Sequence, residues 1–168
     1  LTLVLGLLAS KVRDDLSVAR NDVRLLVRDT SFPGVSQPLL KLAIISDLHV
    51  GDTEVAYANL SELVAEVLAS KPDFTLLLGD YTQSHDSVEH LTEHRKKVAE
   101  ILGELATFPT VAVLGNYENW SDPMRWDEAL SDTGIKVLEN EIVRLDTEYH
   151  SVCFRGLGDA FTRRFSYL

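Results

Sequence analysis

The chain has a single cysteine, Cys153, so an intrachain disulfide is excluded. Flanked by Val152 and Phe154, Cys153 reads as a small buried apolar residue and leaves the compartment open. Positive charge is also scarce: 16 Lys and Arg stand against 26 Asp and Glu, a formal charge of −10. Gripping a nucleic-acid backbone takes clustered cations, so this charge argues against nucleic acid as a general partner. A phosphate substrate is not ruled out, because bound metal ions can bring the positive charge locally. No G-x-G-x-x-G and no G-x-x-x-x-G-K-[ST] occurs, which removes the usual dinucleotide and P-loop grips. Low-complexity tracts are lacking, as are repeats beyond a strand-helix alternation. The opening run LTLVLGLLAS is apolar for only about ten residues, against the ~20 of a membrane span, and has no charged leader of a signal peptide. What remains is a globular composition, 45% hydrophobic and 25% charged, over 168 residues. That length suits one domain burying roughly 70% of the surface its unfolded form exposes.

Three apolar runs organise the chain. Residues 42–45 (LAII) lead into Ser46-Asp47-Leu48-His49, residues 75–78 (TLLL) into Gly79-Asp80, and residues 111–114 (VAVL) into Gly115-Asn116. Runs of this kind read as buried strands of a parallel sheet. In extended backbone, residues two apart face the same way, so Asp47 and His49 are expected to share one cleft while Leu48 points back into the core. Taken alone, Asp-x-His fits a polar loop after a strand as well as a pair of metal ligands. Three strands that each end on a ligand-type side chain, two of them directly after a glycine, are harder to assign to chance. In open α/β sheets, sites form outside the carboxyl ends of strands, and glycine lets backbone approach a ligand closely.

Between and after these runs the pattern alternates. Residues 21–29 read as a half-buried strand and residues 31–38, with two prolines and a glycine, as a turn. Thr53 or Asp52 caps a helix whose stripe is Leu60, Leu63, Val64, Val67 and Leu68, closed by Lys71-Pro72-Asp73. Leu91, Val98, Ile101, Leu102 and Leu105 mark a second helix. Asp122 with Pro123 starts a third, stopped by Gly134. Residues 135–138, 142–146 and 151–157 read as short strands.

In their order and spacing, Asp47-Leu48-His49, Gly79-Asp80 and Gly115-Asn116 resemble the calcineurin-like metallophosphoesterases, most closely the small bacterial-type members whose first motif reads S-D-L-H, as Ser46 to His49 does. The resemblance runs from about Lys41 to about Asp159, where Arg155-Gly156-Leu157-Gly158-Asp159 is similar to the strand-to-loop passage at the family's midpoint. It implies an α/β fold, a two-sheet β sandwich flanked by helices, of which this chain carries the first half. Domain-wise, residues 1–22 form an apolar segment, either a helix or the remnant of a membrane anchor such as some relatives carry, and residues 23–168 the phosphoesterase-like domain. The implied activity is hydrolysis of a small-molecule phosphomonoester or phosphodiester by a metal-bound hydroxide at a dinuclear site. The implied cofactors are two divalent ions (Mn, Zn or Fe), held by Asp47, His49, Asp80 and Asn116, with Asp80 as the bridge. Two such ions against two carboxylates leave about two positive charges facing the phosphate.

Two departures from the family pattern shape the expectation. Gly115-Asn116 is followed by Tyr117-Glu118 where relatives carry the histidine that protonates the leaving group, and Gln83 stands where many carry an acid partnering it. Tyr117, or Glu118 in its place, is left as the proton donor. The later G-H-x-H motif, which completes both metal shells, is also missing. Among the other histidines, His85 is the best-placed replacement ligand. His90 and His94, four apart on a helix with Glu93, Arg95, Lys96 and Lys97, read as a solvated face, and His150 as structural. An uncovered half-sandwich exposes strand edges, which favours a homo-oligomer. The competing readings are a degenerate member that binds metal or a partner without turnover, and an unrelated doubly wound domain. The sequence leaves the location unknown, with cytoplasmic and membrane-associated as the two options.

Overall fold

The structure is a computed structural model; it describes residues 2–3, 40–83 and 88–166, with side chains resolved from 40 to 83 and from 91 to 166. The strand expected over 21–29, the turn over 31–38 and His85 lie outside the described residues, as does most of the segment 1–22. Within that segment Thr2–Leu3 is extended rather than helical: as strand β1 it pairs parallel with Cys153 and Phe154.

Four strands form a parallel sheet in the order β2-β3-β4-β5, from Leu42–Ile45, Phe74–Leu77, Thr110–Ala112 and Lys136–Val137. The chain returns between them through helices. Helix α1, Glu54–Ser70, begins where the Thr53 hydroxyl accepts the Ala56 N–H, and ends on Lys71 in left-handed conformation ahead of Pro72. Helix α2, Val88–Gly103, runs into a 3-10 turn at Glu104–Thr107. Two short helices follow β4: α3, Asn116–Ser121, and α4, Pro123–Ser131. Asp122 caps α4 by accepting the Arg125 N–H, as Pro at the first helical position requires of a start signal. Helix α3 has no counterpart among the sequence-based expectations; at six residues it is too short to show a helical period.

The central strands β3 and β4 are covered on both faces, which is why they read as unbroken apolar runs. Strand β2, at the sheet edge, is buried on one face only, and the expectation of a fully buried strand there is corrected by Ile44, 55% exposed. One face, through Ala43, Ile45, Leu77, Ala112 and Val137, packs on Leu60, Val64 and Val67 of α1, Val98 and Leu102 of α2, and Trp126 and Leu130 of α4. The other face, through Phe74, Leu76 and Val111, packs on Val152 and Phe154. Those two belong to a second sheet, ordered β1-β7-β6, in which Glu141–Asp146 (β6) and Ser151–Gly156 (β7) form an antiparallel hairpin. Phe74 and Phe154 meet edge to face at 5.1 Å. The result is the two-sheet arrangement with outer helices expected from the sequence.

The buried ring of Phe154 joins the two layers, so its removal tests whether they unfold as one. Phe154→Ala is expected to lower the unfolding free energy by about 3–5 kcal/mol, with far-UV and tryptophan signals still moving together in urea.

Candidate metal centre

At the carboxyl edge of the parallel sheet the strands stop pairing as strands, yet their loops stay tied. Leu78 N–H donates to Ile45 O, Asp47 N–H to Gly79 O, His49 N–H to Asp80 O and Val50 N–H to Tyr81 O, at 2.8, 3.2, 2.9 and 2.9 Å. The loops after β2 and β3 thus run side by side as far as the Val50–Thr82 bridge. Asp47, His49 and Asp80 each offer a donor atom, and all three atoms lie within 4.8 Å of one another.

The expected meeting of Asp47 and His49 is therefore observed, but its stated cause is corrected. The residues are not in extended backbone. Asp47, His49 and Asp80 have φ of 56°, 42° and 56°, all left-handed, and Gly79 has 91°. Asp and His tolerate this region better than most side chains. Alternating left-handed turns, not strand pleating, swing the donors inward. Backbone strain concentrated on the residues that converge is a mark of a built site.

Beneath the donors lies Glu118, 0% exposed. Its Oε2 accepts the N–H groups of Asp80 and Gly115, both at 2.9 Å, and its Oε1 accepts those of Tyr81 and Thr82 at 2.8 and 3.3 Å. Burial pushes this carboxyl above its ordinary range, the Gly115, Tyr81 and Asp80 amides pull it back, and the Asp80 charge adds a further push upward. Glu118 was expected as an alternative proton donor. Both of its oxygens are instead engaged by main chain, which suits a clamp holding the β3 loop to the start of α3. The sequence did carry a signal for this: a glutamate three residues into a helix that starts at Gly115, reaching back to the Gly115 N–H.

Gly115 is required by closeness. A Cβ there would stand 2.2 Å from Asp80 Oδ1, and one at Gly79 would stand 2.4 Å from the Gly115 nitrogen. Asn116, the first residue of α3, adjoins this contact, and the next N–H, that of Tyr117, donates to Asp80 Oδ1 at 3.2 Å. The Tyr117 ring meets His49 edge-on, centroids 4.7 Å apart. Gln83 sits at the rim, exposed, with its side-chain oxygen over Gly51.

A second correction concerns His94. It is not on a solvated face but 3% exposed. Its Nδ1 lies 2.7 Å from the Tyr57 hydroxyl and its Nε2 3.1 Å from the Thr82 hydroxyl. Because the Tyr57 hydroxyl donates to Asp52 at 2.6 Å, it accepts from His94 Nδ1, and Nε2 closes the link to the Thr82 hydroxyl. The chain Asp52-Tyr57-His94-Thr82 braces the same two loops from the helix side, and leaves His94 no nitrogen for a metal. His150 stands 4.0 Å from Asp73, a structural position as expected.

Two carboxylates and an imidazole at this spacing make a suitable donor set for a divalent cation, whose ligands sit roughly 2.0–2.2 Å from the ion. The fold and this cluster are those of a metal-dependent phosphoesterase. A family model for calcineurin-like phosphoesterases matches residues 40–161, and the chain belongs to that family. No curated protein matches it.

If the clamp sets the geometry, weakening it should disturb both fold and donors. Glu118→Gln places an amide N–H against backbone donors and is expected to cost about 1–3 kcal/mol of stability in urea unfolding. Gly115→Ala should both lower stability in urea unfolding and bind Mn²⁺ or Zn²⁺ more weakly by calorimetry, since the added methyl meets the side chain and the backbone nitrogen of Asp80.

Proposed function

We propose that the chain hydrolyses small-molecule phosphoesters at a dinuclear centre, with Asp47 and His49 holding one divalent cation (Mn, Zn or Fe), Asn116 the other, and Asp80 shared between them. The observation that carries this reading is the convergence of the Asp47, His49 and Asp80 donors within 4.8 Å. When bound, such cations supply electrophilic polarisation of a phosphoryl group and acidify a water nucleophile. The protein's own share is positional. The Tyr117 N–H holds Oδ1 of Asp80, while the Glu118 clamp fixes the turn that carries this carboxylate. The Tyr117 ring, packed on His49, is the remaining candidate to stabilise the leaving group. A phenol hydroxyl is a poor general acid beside the imidazolium that relatives carry, so substrates whose leaving groups need no proton are favoured.

Aryl phosphates should accordingly be turned over much faster than alkyl phosphates in the presence of Mn²⁺ or Zn²⁺. Chelation or Asp80→Asn should remove the activity, and Tyr117→His should raise the alkyl rate selectively. Equal rates on both substrate types would remove the leaving-group argument. The engagement of Glu118 by main chain favours one other reading, a metal-binding relative without turnover. Calorimetric binding of metal with no hydrolysis of any aryl ester, monoester or diester, would select it.

A further inference from the structure

The rings beside the site continue past it. Tyr117 packs on His49, Trp120 packs on Tyr117 with centroids 5.5 Å apart, and Phe161 meets Trp120 edge to face at 5.5 Å. The first of these rings touches a candidate metal ligand and the last two face solvent: Trp120 is 47% exposed and Phe161 75%. The backbone that carries them is tied down. Trp120 lies one turn beyond Asn116 on α3, the helix that Glu118 anchors. Phe161 sits in a turn tied by Asp159, whose carboxylate accepts the N–H groups of Phe161 and Thr162 at 3.2 and 2.8 Å. Met124, at the start of α4, is also exposed.

Neither ring helps fill either apolar core. Large exposed aromatics beside a polar donor cluster fit the pattern of ligand sites, where apolar faces bind the body of a molecule and a few polar groups orient it. Continuity with the cluster decides what the body is attached to, because the ladder begins at His49 and leads outward.

We propose that Trp120 and Phe161 form a shelf that holds a planar aromatic ring on the leaving group of the substrate, making these two side chains specificity-determining. This rests on the phosphoester-hydrolase reading above. It concerns binding of the ring and involves no bond change of its own. A flat ring on Trp120 would extend the sequence of ring contacts by one.

The test compares phenyl phosphate with hexafluoroisopropyl phosphate, a ring-free ester of similar leaving-group acidity, in the Mn²⁺-loaded protein. Trp120→Ala and Phe161→Ala should each lower kcat/KM for phenyl phosphate about tenfold, mainly through KM, and change the ring-free ester by less than about twofold. Trp120→Leu, which keeps apolar bulk without a ring, should behave like Trp120→Ala. A second arm needs no metal and no turnover. In ¹⁵N-indole spectra, phenol should shift the Trp120 resonance saturably and cyclohexanol should not, with buried Trp126 as the internal reference. Equal losses on both esters, a Trp120→Leu variant that retains full activity, or a Trp120 resonance that phenol leaves unmoved would each overturn the shelf while leaving the hydrolase intact. So would a dimer of the chain that Trp120→Ala dissociates, since the rings would then be occupied by a second copy. Phenol binding at Trp120 without hydrolysis of any ester would instead reject the hydrolase and keep the ring site.

Discussion

The buried carboxylate of Glu118 is the constraint on which the arrangement depends. A carboxylate withdrawn from water is costly unless its oxygens are satisfied. Here they are satisfied by main-chain N–H groups of two separate loops, those after β3 and β4. The cost of burial and the need for amide partners act together. The glutamate is stable only if Asp80, Tyr81 and Gly115 stand close by, and they stand close by only if each loop turns as it does. A surface ion pair would not impose this, because water would accept either partner alone.

Around that centre, the remaining features narrow the freedom of the donors further. Gly79 and Gly115 let two backbones touch where a methyl would not fit. The Tyr81 hydroxyl reaches down to Val113 O at 2.6 Å, fastening the β3 loop to the strand beside it. From the opposite side, His94 links Tyr57 of α1 to Thr82. Chemistry-bearing side chains on loops become well defined when the loops are fixed to a rigid scaffold. In this protein that fixing is done by hydrogen bonds to main chain more than by apolar packing.

Much of this was readable from residue order. The apolar runs ahead of Asp80 and Asn116 announce parallel strands because β3 and β4 are buried on both faces, and a doubly buried strand has no polar side to break its pattern. The run ahead of Asp47 is as apolar although Ile44, on the edge strand, is 55% exposed. Asp122-Pro123 announces a helix start because capping is a local effect. The left-handed turns at Asp47 and His49 were not readable, since no glycine marks them and their conformation is imposed by pairing with the β3 loop. The burial of His94 was hidden for a similar reason. Its neighbours on α2 are charged, and only the approach of Tyr57 and Thr82, far away in sequence, encloses it. Helix α3 escaped notice because six residues give no period, although Glu118 three positions into it carried the start signal.

The left-handed backbone at Asp47, His49 and Asp80 has a thermodynamic corollary. The folded chain without metal holds two carboxylates close together on conformations that an unfolded chain seldom visits, so this corner carries a cost in the native state. A cation that neutralises the pair returns part of that energy, and ligand linkage converts it into resistance to heat, about 2.7 kcal/mol at a hundredfold excess over its dissociation constant. Calorimetric melting would thus serve as a gauge of occupancy, independent of whether any ester is ever cleaved.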